Sequence, residues 1–163
     1  MNKPHWLEIA EKEIGTKEIP GEQDNPRILE YAQATSLGAH DDETPWCSSF
    51  VNWVMAESGL ILTRSAAARS WLTWGSPLGQ PALGAVVVLS RPPNPASGHV
   101  GLVEGMVGAQ RVAVLGGNQG NAVSVAVFPR ARVLAFRWPN TVAMPTEPCP
   151  RWTGDTTGET TTA

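Results

Sequence analysis

The apolar residues change their spacing at Pro81, and that change narrows what this chain can fold into. Before it they recur at helical intervals. Trp6, Ile9, Ala10 and Ile14 form one stripe over residues 4–15, with Gly15 as a cap; Ile28, Leu29, Tyr31 and Ala32 form another over residues 26–34. A third helix is expected to begin at Thr44-Pro45 and end near Ser58-Gly59, and an Ala-rich fourth to cover residues 66–74, stopped by Gly75 and Pro77. After Pro81 come short apolar runs of strand length at 85–89, 99–104, 111–115, 122–128 and 133–138. Between the first two runs lies Arg91-Pro92-Pro93-Asn94-Pro95-Ala96-Ser97-Gly98, a rigid loop that cannot be sheet interior. Helices first and strands after predict an α+β fold, with N-terminal helices packed on an antiparallel sheet of about five strands.

The length, 163 residues, suits one domain with a sizeable core. We expect that domain to span 1–140. Residues 141–163 are rich in Pro, Thr and Gly with little to bury, and are expected to be a disordered tail that includes Cys149. No apolar run reaches membrane-spanning length, and the net charge of -3 with no basic cluster argues against a nucleic-acid or anionic-membrane binder. The N-terminal Met1-Asn2-Lys3-Pro4-His5 lacks a hydrophobic signal core, so the expectation is synthesis in the cytoplasm without a signal peptide. Two cysteines are too few for a disulfide scaffold, and zinc-type spacing is absent.

Reactive chemistry concentrates at Cys47. With Thr44 as N-cap and Pro45 at the first helical position, Cys47 falls in the first turn, where orphan N–H groups and the helix dipole favour a thiolate. Phe50, Val51 and Val54 share its face, so the sulfur should point at whatever the helix packs on. A base is available in His99, which opens a strand. If the following hairpin turns about Gly108, antiparallel pairing brings position 118, an asparagine, opposite position 99. The result is a Cys47-His99-Asn118 set: nucleophile, general base and orienting amide. Backbone N–H groups in the Cys47 turn would serve as oxyanion donors.

Plainer roles exist for each of these residues. A cysteine on an apolar helix face is ordinarily core filler, and Asn in Gly-Gly-Asn-Gln is most simply a turn residue. The joint spacing is what favours the reactive set. Seven Trp against one Tyr also suits a binding groove; Trp46, beside Cys47, and Trp71 and Trp74, three apart, are the candidate substrate-binding residues, with core packing as the alternative. His40-Asp41-Asp42-Glu43 offers a weaker cation site, and His40 a weaker base. We expect no metal and no cofactor.

Several motifs appear in order: Asp-Glu-Thr-Pro-Trp-Cys-Ser-Ser-Phe-Val-Asn-Trp at 42–53, Ser-Gly-His-Val-Gly at 97–101 and Leu-Gly-Gly-Asn-Gln at 115–119. Glu13 to Glu18, Asn25 to Tyr31 and Ala68-Arg69-Ser70-Trp71 add to them. Over residues 4–139 the chain resembles a bacterial and phage family of small peptidoglycan hydrolases, the CHAP and NlpC-type cysteine amidases and peptidases. The resemblance implies a papain-like α+β core, with Cys47 as nucleophile, His99 as base and Asn118 at the third position. Many CHAP relatives also carry an acid just before that polar residue; Gly116 and Gly117 stand there in this chain. It further implies peptidoglycan as substrate, cut at a stem-peptide amide by a monomer acting as a phage lysin or as an antibacterial effector in the periplasm. An effector would bring a cognate immunity or inhibitor protein. The alternatives are a non-catalytic wall-binding module and a cysteine peptidase or deamidase acting on proteins.

Overall fold

The computed structural model describes residues 3–19, 25–35 and 46–154. Three α-helices come first: α1 (His5–Glu11), α2 (Pro26–Ala32) and α3 (Cys47–Glu57). A 3₁₀-helix follows at Ala68–Thr73, in place of the longer α-helix expected over 66–74. Then come the strands β1 (Ser76–Leu78), β2 (Val86–Ser90), β3 (Gly98–Val107), β4 (Arg111–Gln119), β5 (Ala122–Pro129) and β6 (Val133–Trp138). They form one six-stranded antiparallel sheet in the order β1-β6-β2-β3-β4-β5. The α+β reading holds, with one strand more than expected. Val86 to Leu89 are wholly buried, which explains why the sheet's middle reads as an unbroken apolar run.

The extra strand is β1. Gly75 and Pro77 do stop the preceding helix, but Ser76 and Pro77 then pair with Trp138 and Arg137. Proline is tolerated there because β1 is an edge. Arg137 fastens the corner by donating to Trp74 O (2.7 Å) and Gly75 O (3.0 Å).

As far as Gly154, the C-terminal segment is not the disordered tail expected from its composition. Strand β2 reaches along β3 only to Leu102, which leaves the backbone of Met106 open on that side. The tail takes it. Met106 N–H donates to Pro150 O and Trp152 N–H to Met106 O, both at 2.8 Å. Gly105 (φ 155°) makes room for this, since a Cβ there would lie 2.8 Å from Trp152 Cβ. Cys149 and Trp152 pack on the core. Composition undervalued this segment because backbone pairing does not need apolar side chains. Residues 155–163 lie outside the described residues.

Helix α3 packs across β3 and β4. Its outer turns are anchored by Asn52, which is fully buried. Asn52 Oδ1 accepts from the N–H groups of Thr63 and Arg64 (2.9 Å each), and its Nδ2 donates to Ser48 O at 3.0 Å. Every polar atom of that amide is therefore satisfied, and the helix is held at a fixed depth.

Candidate active site

Cys47 is the first residue of α3, and Trp46 is its N-cap, with no side-chain capping bond. The expected cap at Thr44-Pro45 and the cluster His40-Asp41-Asp42-Glu43 lie outside the described residues. The thiol is buried, 6% exposed. Burial pushes the thiol above its ordinary 9.0; the backbone N–H groups of Val100, Ser48 and Cys47 itself and the positive charge of Arg91 favour the thiolate but do not offset it. At neutral pH the resting group is thus a thiol. The Ser48 and Cys47 donors are those expected of a helix start, whereas the Val100 donor on β3 and the opposing desolvation arise only in the assembled fold.

The residue before Val100 is His99, which pairs with Leu89 on β2 and is completely buried. Its Nε2 lies 2.7 Å from Gln119 Oε1. The orientation of that amide follows from its other end. Gln119 Nε2 donates to Ser124 O (2.8 Å) and Val114 O (3.1 Å), so the oxygen must face the histidine. An oxygen can only accept, which puts the ring proton on Nε2 and leaves Nδ1 as a bare lone pair. Nδ1 is buried and has no hydrogen-bond partner. Phe128 lies along the ring at 5.5 Å. Burial lowers the His99 pKa to about 4; the Gln119 bond raises it only in part, and the charges of Arg91 and Arg132 lower it further. His99 is thus a neutral imidazole whose buried Nδ1 has no partner, and the next residue, Val100, is the one whose backbone N–H acts on the Cys47 sulfur.

Asn118 does not fill the third position. Leu102 pairs with Leu115 and Val103 with Val114, so continuing the register does bring position 118 opposite position 99, as the hairpin arithmetic predicts. The pairing of β4 with β5 breaks between Gly116 and Gln119, however, and Asn118 sits at φ 60°. That left-handed residue reverses the alternation, and Gln119 turns inward instead. Asn tolerates the conformation, so the plainer reading of Asn118 as a turn residue describes it. The clue available in the sequence was Asn118-Gln119-Gly120-Asn121, which has two further turn formers after the glutamine; Gly120 and Asn121 also have positive φ.

The family model for the CHAP domain matches residues 39–118. The chain carries a CHAP domain. Its fold is papain-like, and it implies a hydrolase-like function directed at peptidoglycan. No curated protein matches the chain significantly. The matched span contains Cys47 and His99 and ends one residue before Gln119. Strands β5 and β6 and helices α1 and α2 lie outside it but share the CHAP domain's core.

Gly116 lies against the contact between His99 and Gln119. A Cβ at Gly116 would lie 2.5 Å from Gln119 Oε1 and 3.3 Å from His99 Nε2. The missing side chain leaves the space that the Gln119 amide fills. Gly117 is needed for packing, since a Cβ there would lie 2.6 Å from the Trp46 ring.

The tryptophans expected to line a groove are core residues of the domain. Trp46, Trp71 and Trp74 are buried, and each indole N–H is satisfied internally: on Glu18 Oε2, on Ser48 Oγ and on Ile61 O, each at 2.9 Å. Trp71 and Trp74 meet edge to face at 5.0 Å. Sequence reasoning missed Arg91 and Arg132, whose charges both bear on His99. In the sequence Arg91 only opens the rigid loop at 91–98. Among the described residues no group of three or more metal-binding side chains converges, and no helix is long and apolar enough to cross a membrane.

Proposed function

We propose that this CHAP domain hydrolyses an amide bond of the peptidoglycan stem peptide through Cys47, His99 and Gln119. The observation that carries this reading is the fixed tautomer of His99, with Nε2–H held by Gln119 and Nδ1 left without a partner. As the Cys47 sulfur attacks the scissile carbonyl carbon, Nδ1 takes the thiol proton. Backbone N–H groups at the start of α3 stabilise the oxyanion. The imidazolium then gives its proton to the departing amine, leaving a thioester on Cys47. Water, deprotonated by His99, attacks that thioester and restores the thiol. Gln119 is a positioning residue throughout. The setting proposed with this activity is the periplasm, reached by a phage lysin or by a secreted effector.

A wall-binding module that relies on a tryptophan groove is disfavoured, because the three tryptophans are inside the core. The test is release of new amines from purified sacculi, with casein as the counter-substrate. Amines from sacculi alone support the reading, and the masses of the fragments identify the bond as muramoyl-alanine amide, stem peptide or cross-bridge. Cleavage of casein alone would indicate a protein peptidase, and cleavage of neither a binding module.

A further inference from the structure

We infer that Arg91 binds a carboxylate carried by the substrate beside the scissile amide, so that the site selects acidic peptides. This assignment rests on Cys47 being the reacting group in the function proposed above.

Arg91 leaves the sheet beside the histidine. Strand β2 ends at Ser90, with Leu89 paired to His99 and Ser90 to Gly98. The Arg91 charge reaches the Cys47 sulfur, the His99 ring and the Arg132 guanidinium. Its Nε is buried with no hydrogen-bond partner, and among the described residues no carboxylate pairs with it. A buried guanidinium donor with nothing to bond is unfavourable, and a second guanidinium nearby adds to the penalty. Arg132 is held there by Ser90 O, to which its Nη2 and Nε donate at 2.7 and 3.1 Å, and its guanidinium carbon lies 5.4 Å from the Phe128 ring that flanks His99. The unpartnered Arg91 Nε, in a guanidinium whose charge acts on the Cys47 thiol, is explained by an anion that arrives with the substrate.

Carboxylate is the fitting class. The planar guanidinium fork matches it in a bidentate manner, and an acidic peptide presents such a group at a fixed distance from its amide. The cation is also preorganised. The loop that follows Arg91 is tied down where Arg69 Nε donates to Ser97 O at 2.8 Å, and Asn94 Oδ1 accepts from Ala96 N–H at 2.9 Å. An arginine that merely lays its stem on the surface would keep its donors in water, whereas Nε here has been withdrawn from it.

The test compares alkylation of Cys47 by iodoacetate, an anion, with alkylation by iodoacetamide, its neutral counterpart, read site by site by mass spectrometry in the full chain. Cys149 provides an internal reference. The Cys47 iodoacetate/iodoacetamide rate ratio should exceed that of Cys149, fall roughly tenfold in Arg91→Gln, and largely survive in Arg91→Lys. Added salt should shrink the wild-type ratio, a measurement that needs no variant. A ratio indifferent to both Arg91→Gln and salt overturns the assignment. Alkylation requires no turnover, so an Arg91-dependent ratio in a protein inert toward sacculi would uphold the carboxylate site and reject the hydrolase. Cleavage of sacculi with an indifferent ratio would do the reverse.

Discussion

Gln119 Oε1 accepts from His99 Nε2 at 2.7 Å, and the same glutamine is locked at its other end by Ser124 O and Val114 O. One neutral amide therefore sets both the tautomer and the tilt of the imidazole. Replacing Gln119 by Ala should lower kcat by roughly 10²-fold with the fold intact. Asn118→Ala should matter much less, because Asn118 serves the turn. Parallel kcat measurements on sacculi, with circular dichroism for folding, check the order; an Asn118 defect equal to that of Gln119 would contradict it.

Gly116 gives a second handle on the same contact. The methyl group of Gly116→Ala would come within 2.5 Å of Gln119 Oε1, and the amide would have to move away from His99. The variant should lose about as much activity as Gln119→Ala. The double variant should be no worse than either, since both break one contact. Additive losses in kcat would show that Gly116 acts by another route.

Acid should act on His99 in two ways. The folded-state pKa is about 4 against an ordinary 6.5, so the base stays neutral, and activity should persist as pH falls through 6 and 5 and collapse near 4. Between 6.5 and 4 the unfolded chain binds a proton that the folded one refuses. Stability from this site is therefore fully present above 6.5 and is lost as pH falls toward 4, by about 3 kcal/mol. Urea melts of wild type and His99→Gln across that range check this: wild type should lose more stability on acidification than the variant.

The buried tryptophans should report on folding and not on substrate. Trp71→Ala removes a wholly buried ring and the bond to Ser48 Oγ, and should destabilise the domain by about 3–5 kcal/mol. In the fraction that remains folded, KM should be unchanged. A selective rise in KM at unaltered melting temperature would return Trp71 to the substrate groove.

The helices, the five long strands and the approach of Cys47 to the start of β3 were legible because they depend on apolar period and hairpin length. Even the register was legible, since position 118 does fall opposite His99 along the β3–β4 pairing. The third residue was missed because a single left-handed residue, Asn118, shifts the alternation by one, and strand periodicity carries no sign of it. The protonation state of Cys47 was misjudged for a different reason. Helix-end donors are visible in sequence, while the burial that outweighs them is a property of the assembled fold. Likewise Arg91 gains meaning only from its neighbours across the sheet, and residues 141–154 only from the open edge at Met106.

The central claim is that the Cys47 sulfur performs the cleavage. Cys47→Ala should fold with an unchanged circular dichroism spectrum and release no amine from purified sacculi under conditions where wild type digests them. A folded Cys47→Ala that still digests sacculi at the wild-type rate would contradict the account.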